Sequence, residues 1–299
     1  MPRQLTIAYT PDSDDAFYYY ALENHLVELP GVQFQFECDH IIALNRRALR
    51  REFDVAAISS VAYPELADTY RILSVGTSVG RGYGPVLVSR NYHTLEQLAG
   101  KRIAVAGIPT TGGFLAMYAL NDAEFVPFQF DMIADAVAAG EFDAGVMIHE
   151  ELLFFPQKGL HKVADLGAVW QEKTDLPLPV GLNVVNRELD ESLMQDVTDV
   201  IRESLCYALT HREEALAWAT RFGRGEDGDC GEQHVEMFAN IDSVMMPEDV
   251  RTGLRVLLPL VMGLGISETV PPIDIVDGSQ STLERSLNLI TGLRPAAAA

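Results

Sequence analysis

Two stretches of the chain repeat one pattern. Glu52-Phe53-Asp54 runs into the small apolar segment Val55 to Ile58 and stops at Ser59-Ser60; Glu141-Phe142-Asp143 runs into Ala144 to Ile148 and stops at His149. Apolar runs this short, bounded by polar residues, read as buried strands. Each follows a segment of helical character. A second echo sets "LTIAYTPDSDDAFYYYAL", 5–22, against "KRIAVAGIPTTGGFLAMYAL", 101–120. Both read as strand, polar loop and helix ending Tyr-Ala-Leu. A chain that makes the same α/β move twice is expected to fold as two similar lobes. The second begins near residue 91, which gives a larger lobe of residues 1–90 plus 186–299 and a smaller one of 91–185.

The remaining periodicity agrees with an α/β class. Strands are expected at 5–10, 33–37, 54–58, 70–75, 85–89, 102–106, 126–130, 143–148 and 180–186. Helices fit 12–26, 41–51, 94–98, 111–121, 132–139, 190–209, 212–221, 231–240 and 247–263. Strands alternating with helices predict mostly parallel sheets. The terminal "RPAAAA" reads as a frayed end.

Composition narrows the partners. The net charge of −21 argues against nucleic acid and anionic membrane surfaces. No apolar window is long enough for a membrane-spanning helix. The start, "MPRQLTIAYT", lacks the apolar stretch of a secretory signal, so cytoplasmic residence is expected. Cys38, Cys206 and Cys230 form no CxxC pair and read as reduced thiols.

In open α/β sheets, ligands bind beyond the carboxyl ends of strands. Ser59, Ser60 and His149 stand at such ends and would face one another across a cleft between lobes. His149 follows an apolar strand, so partial desolvation would favour the neutral imidazole that a general base requires. Glu150 or Glu151 could orient its ring; the bland alternative is a structural histidine capping the next helix. Thr110 and Thr111 lie where a strand meets a helix, a place suited to a carboxylate or phosphate. Gly112 and Gly113 would let that ligand approach the backbone. Arg81, in the glycine-rich loop 76–85, could reach the cleft from a crossover between lobes or remain a solvated surface charge. Asp12, Ser13, Asp14 and Asp15 read first as helix-capping residues; the cluster could also bind hydroxyls of a ligand, with Asp15 as the substrate-binding residue, and a metal site is the minority reading. One tyrosine of Tyr18–Tyr20 could line the pocket. The other histidines show no metal-ligand spacing and read as surface or packing residues.

Together these residues resemble the 1,4-dihydroxy-6-naphthoate synthase family of the futalosine route to menaquinone. The resemblance is carried by "LNRRAL" (44–49), "GRGYGPVLVSR" (80–90), "GIPTTGGF" (107–114), "GVMIHE" (145–150), "DLGAVWQEKTDLPLPVGLNVVNREL" (165–189) and "SLCYALTHREEAL" (204–216). It implies a two-lobed type II periplasmic-binding-protein fold and a carbon–carbon lyase acting on cyclic dehypoxanthine futalosine, without metal or organic cofactor. It implies His149 as proton acceptor, ligand contacts from Ser59, Thr110 and Thr111, and Asn45 beside the site. The family pattern at the first loop is Ser-Pro-Cys-Pro-Asn-Asp-Thr-Phe; here Pro11, Asp15 and Phe17 match, while Asp12 and Asp14 are added carboxylates. That departure leaves room for a related lyase with another substrate. A non-catalytic solute-binding or sensor protein for a small carboxylate is the alternative of a different class. The sequence leaves the oligomeric state open.

Overall fold

A computed structural model describes residues 2–120, 122–223 and 228–290; the expected frayed end lies outside them. Among the described residues the strands are β1 Arg3–Tyr9, β2 Val32–Cys38, β3 Val55–Ser59, β4 Tyr70–Leu73, β5 Ser78–Gly80, β6 Val86–Ser89, β7 Arg102–Val105, β8 Glu124–Pro127, β9 Ala144–Met147, β10 His161–Asp165, β11 Leu178–Asn186 and β12 Ile275–Val276. The helices are α1 Ser13–Glu23, α2 Ile41–Leu49, α3 Tyr63–Leu66, α4 Thr111–Ala119, α5 Ile133–Ala139, α6 Glu151–Phe154, α7 Leu166–Thr174, α8 Glu191–Thr210, α9 Arg212–Ala219, α10 Gly228–Phe238, α11 Ile241–Val244, α12 Glu248–Gly263 and α13 Gln280–Leu289. None of the described helices is long and apolar enough to cross a membrane.

The strands form two sheets. The first runs β12-β4-β11-β3-β1-β2, with β5 also paired to β11; the second runs β10-β6-β9-β7-β8. The repeated Glu-Phe-Asp motif has one physical job in each. Asp54 accepts the Thr6 N–H at 2.8 Å, and Asp143 accepts the Arg102 N–H at 3.0 Å. Each carboxylate therefore ties the start of its own strand to the neighbouring parallel strand, β3 to β1 and β9 to β7. The preceding Phe53 and Phe142 are buried, each under an arginine guanidinium, Arg47 and Arg102 respectively. The two echoes thus build equivalent β-turn-α units whose strands end at one cleft.

The sheets are mixed rather than mostly parallel. β11 is antiparallel to β3, β4 and β5, and β6 is antiparallel to β9 and β10. The cause is the path of the chain: β5 leads out of the first sheet and β11 leads back, so the two passages run in opposite directions. The sheets also part the chain at other residues than the expected lobe limits. β6 already lies in the second sheet, and all of β11 lies in the first. β8 sits earlier than the expected 126–130, because Phe130 opens a short 3-10 turn. β10, α7 and α13 had no expectation.

Replacing Asp54 or Asp143 by alanine leaves a backbone N–H without its partner. Asp54→Ala, whose bond is partly buried, should lose about 1–3 kcal/mol in urea unfolding, and Asp143→Ala, whose bond is exposed, about 0.5–1.5 kcal/mol. Unchanged midpoints would remove the motif's structural role.

Candidate active site

The carboxyl ends of β1, β3, β7 and β9 converge on a cavity between the sheets. Its lining includes Thr10, Asp12, Asp14, Asp15, Ser59, Thr110, Thr111, His149 and His234, with apolar walls from Ile41, Ile58, Ile148, Leu152, Val180 and Phe238. The space, open mouth included, is about 690 Å³.

One wall is neutral and rich in donors. Thr110 caps α4: its hydroxyl accepts the Gly113 N–H at 3.1 Å and donates to the Gly107 carbonyl at 2.7 Å. Thr111 donates its hydroxyl to the Val180 carbonyl of β11 at 2.6 Å, joining the second sheet's helix to the first sheet's return strand. Thr110, Thr111 and Gly112 at the start of α4 line the cavity, and a helix amino end favours an anion. Gly112 lines the cavity, and both glycines also make room for neighbouring protein atoms. A side chain on Gly112 would meet Ile148 at 2.9 Å, and one on Gly113 would meet the Gly107 carbonyl at 2.8 Å.

Asn45 stands behind this wall. Its amide carbonyl accepts the Ser59 N–H at 3.0 Å, and its NH₂ donates to Ser59 Oγ at 3.2 Å and to the Pro109 carbonyl at 2.8 Å. It sets Ser59 and braces the two halves against each other without lining the cavity. Ser60 is not a wall residue; it is fully buried in the 3-10 turn after β3. Arg81 does not reach the cleft either. It is held by Asp242 at 2.6 Å and Asp249 at 2.7 Å, where two carboxylates offer a bidentate guanidinium more than the cleft does. None of Tyr18–Tyr20 lines the cavity; all three are buried in the core.

The opposite wall is acidic. Asp15 accepts both the N–H and the hydroxyl of Thr10, at 2.9 and 2.6 Å. Burial, and then the charge of Asp14, push its carboxyl up to about 7. Asp14 is likewise pushed up to about 7 by burial and the nearby Asp12, against the pull of His149. Its Oδ1 lies 3.4 Å from Nδ1 of His234, whose own pKa burial drives down. His234, expected to be a packing or surface residue, is therefore a wall residue. It comes from α10, and nothing in its spacing points to the cleft.

His149 completes the site. It holds a left-handed backbone conformation, φ 55°, in the turn from β9 to α6, and its ring meets the Phe130 ring edge-on at 5.1 Å. The carboxylate on its Nδ1 is Asp12, not Glu150 or Glu151. Glu150 is turned away to accept the Ser13 N–H at 3.1 Å, at the amino end of α1. The expected roles are exchanged: the helix-start aspartate meets the histidine, and the histidine's neighbour meets the helix start. Among the described residues no group of three His, Cys, Asp or Glu side chains is arranged to hold a metal ion.

The Asp14 carboxyl carries a sign. Its folded pKa lies above the unfolded value of 3.8, so its contribution is fully present below pH 4 and lost as pH rises through 7. Asp14→Asn should therefore gain on wild type between pH 4 and pH 8, by at least about 2–4 °C in melting temperature. A difference independent of pH would contradict the buried, proton-holding carboxyl.

With this geometry in view, comparisons with known proteins place the chain. A family model described as menaquinone biosynthesis matches residues 5–262. The chain is 35% identical over 270 residues to the 1,4-dihydroxy-6-naphthoate synthase of Thermus thermophilus, covering 89% of this chain and 97% of the relative. It is 30% identical over 275 residues to the enzyme of that name from Streptomyces coelicolor, covering 90% and 96%. A crystal structure of an Archaeoglobus fulgidus protein superposes with a TM-score of 0.83 at 39% identity, over 88% of this chain and 98% of that one. The alkanesulfonate-binding protein of Xanthomonas axonopodis pv. citri superposes with a TM-score of 0.68 at 14% identity, over 92% and 96%; that likeness shows the two-lobed periplasmic-binding-protein fold and no more. By the match along most of its length and by its named relatives, the chain belongs to the menaquinone-biosynthesis family of enzymes.

Proposed function

We propose that the protein converts cyclic dehypoxanthine futalosine to 1,4-dihydroxy-6-naphthoate, with His149 as general base. The observation that supports this most is the placement of His149 opposite Ser59, Thr110 and Thr111 in one cavity. The substrate's carboxylate lies against the amino end of α4, where the backbone N–H groups of the first turn stabilise it. Its reacting carbons then lie toward His149. A neutral imidazole takes a proton, and the electron pair released drives cleavage of a carbon–carbon bond.

The acidic wall is compatible with an anionic substrate. Asp14 and Asp15, pushed up to about 7, give up much of their negative charge near neutral pH. Protonated carboxyls donate hydrogen bonds, so this wall can hold hydroxyl or carbonyl oxygens of the ligand. As a biosynthetic enzyme drawing on an intracellular intermediate, the protein belongs in the cytoplasm.

The test is turnover. Purified protein incubated with cyclic dehypoxanthine futalosine should yield 1,4-dihydroxy-6-naphthoate by mass. His149→Gln should lose about 10²–10⁴-fold in kcat while keeping its circular dichroism. A folded wild type with no product would refute the substrate, and an active His149→Gln would refute the base.

A further inference from the structure

Asp12 is the residue immediately before α1, a position where a carboxylate ordinarily accepts the helix's own N–H groups. Here it makes no capping bond. Its side chain, 1% exposed, is aimed across the cleft at Nδ1 of His149, which is 13% exposed. The partners come from different sheets: Asp12 follows β1 and His149 follows β9. The helix start that Asp12 gives up is served by Glu150, which accepts the Ser13 N–H from the opposite side. His149 is further held by the edge of Phe130, itself packed on His40 at 4.7 Å.

We infer that Asp12 is the positioning residue for His149: it holds the proton on Nδ1, turns Nε2 to the substrate and supports the imidazolium that forms when a proton is taken. This rests on the reading of His149 as the base. A carboxylate on one imidazole nitrogen fixes the tautomer and the ring plane, and raises the basicity of the other nitrogen. Because the two residues come from separate sheets, the base is complete only when the halves of the molecule meet.

Among the described residues, Asp14 from α1 and His234 from α10 interact electrostatically with His149, and Glu150 and Glu151 follow it in the chain. Asp14, His234 and Glu150 do not replace Asp12. Asp14, pushed up to about 7, is largely protonated below neutral pH. Burial favours neutral His234. Glu150 is committed to the Ser13 N–H.

Two readouts test the assignment in the full chain, with Asp12→Asn as the variant. The first needs no turnover: nitrogen NMR of labelled imidazoles, with the His149 signal identified by its loss in His149→Gln. In wild type the neutral ring should carry its proton on Nδ1. In Asp12→Asn the titration midpoint should fall by about one pH unit, as expected when an adjacent opposite charge is removed. The second is the pH profile of turnover. Asp12→Asn should lower kcat by about 10²–10⁴-fold, with a smaller change in KM and an acid limb moved to lower pH. A wild-type ring protonated on Nε2, or an unshifted midpoint in a folded Asp12→Asn, would overturn the role of Asp12. Wild-type protein that shows the NMR signature but makes no product would leave Asp12 standing and refute the proposed reaction instead.

Discussion

The chain passes between its two sheets twice at one place, and the site depends on that constraint. β5 leads out, β11 leads back, and the two pair with each other. Their junction is tight. Gly76, at φ 75°, approaches Asn183 of β11 so closely that a side chain there would lie 2.0 Å from the amide nitrogen. Asn183 in turn donates to the Gly76 carbonyl at 3.0 Å. Such a junction cannot take another residue at position 76 without displacing the Asn183 side chain and straining the positive φ. With both passages fixed there, β3 and β9 are turned so that their carboxyl ends oppose. Thr111 to Val180 and Asn45 to Pro109 then close the remaining gap with hydrogen bonds.

Buried carboxylates are the cost of this cleft. Asp12, Asp14, Asp15, Glu150 and Glu151 all lie inside, and an isolated ion there would be strongly unfavourable. The structure offsets each by a different means where its partners are visible. Asp15 receives two hydrogen bonds from Thr10. Glu150 takes a helix N–H, where the dipole favours an anion. Asp12 faces an imidazole. Asp14 tends to keep its proton. No lysine or arginine lines the cavity among the described residues. That agrees with Arg81 being drawn to Asp242 and Asp249 instead.

Much of this was legible in the sequence, for identifiable reasons. The Glu-Phe-Asp echo marks two equivalent units because one carboxylate performs one backbone task in each. Strand ends at Ser59 and His149 and the cap at Thr110-Thr111 follow from local pattern. Asn45 came from family resemblance alone, since a helix asparagine gives no local hint of a partner in position 59. The exchange of roles between Asp12 and Glu150 was not legible: it depends on which way two loops from different sheets face. His234 was missed for the same reason, being brought in by a distant helix. Ser60 and Arg81 were misplaced because sequence adjacency to a strand end does not say which side of the chain faces the cleft. β10 escaped notice as a short, half-buried edge strand, and the antiparallel pairings follow from the chain's return path, which periodicity does not record.

In the proposed reaction the two strand-end clusters act on one ligand, with anion recognition at α4 and proton removal at His149. The decisive measurement is a crystal structure of the His149→Gln variant with cyclic dehypoxanthine futalosine. The ligand carboxylate should lie at the Thr110–Thr111 helix start, with the proton to be removed within hydrogen-bond reach of side chain 149. A carboxylate placed against Asp14 and His234, or a ligand bound outside this cavity, would contradict it.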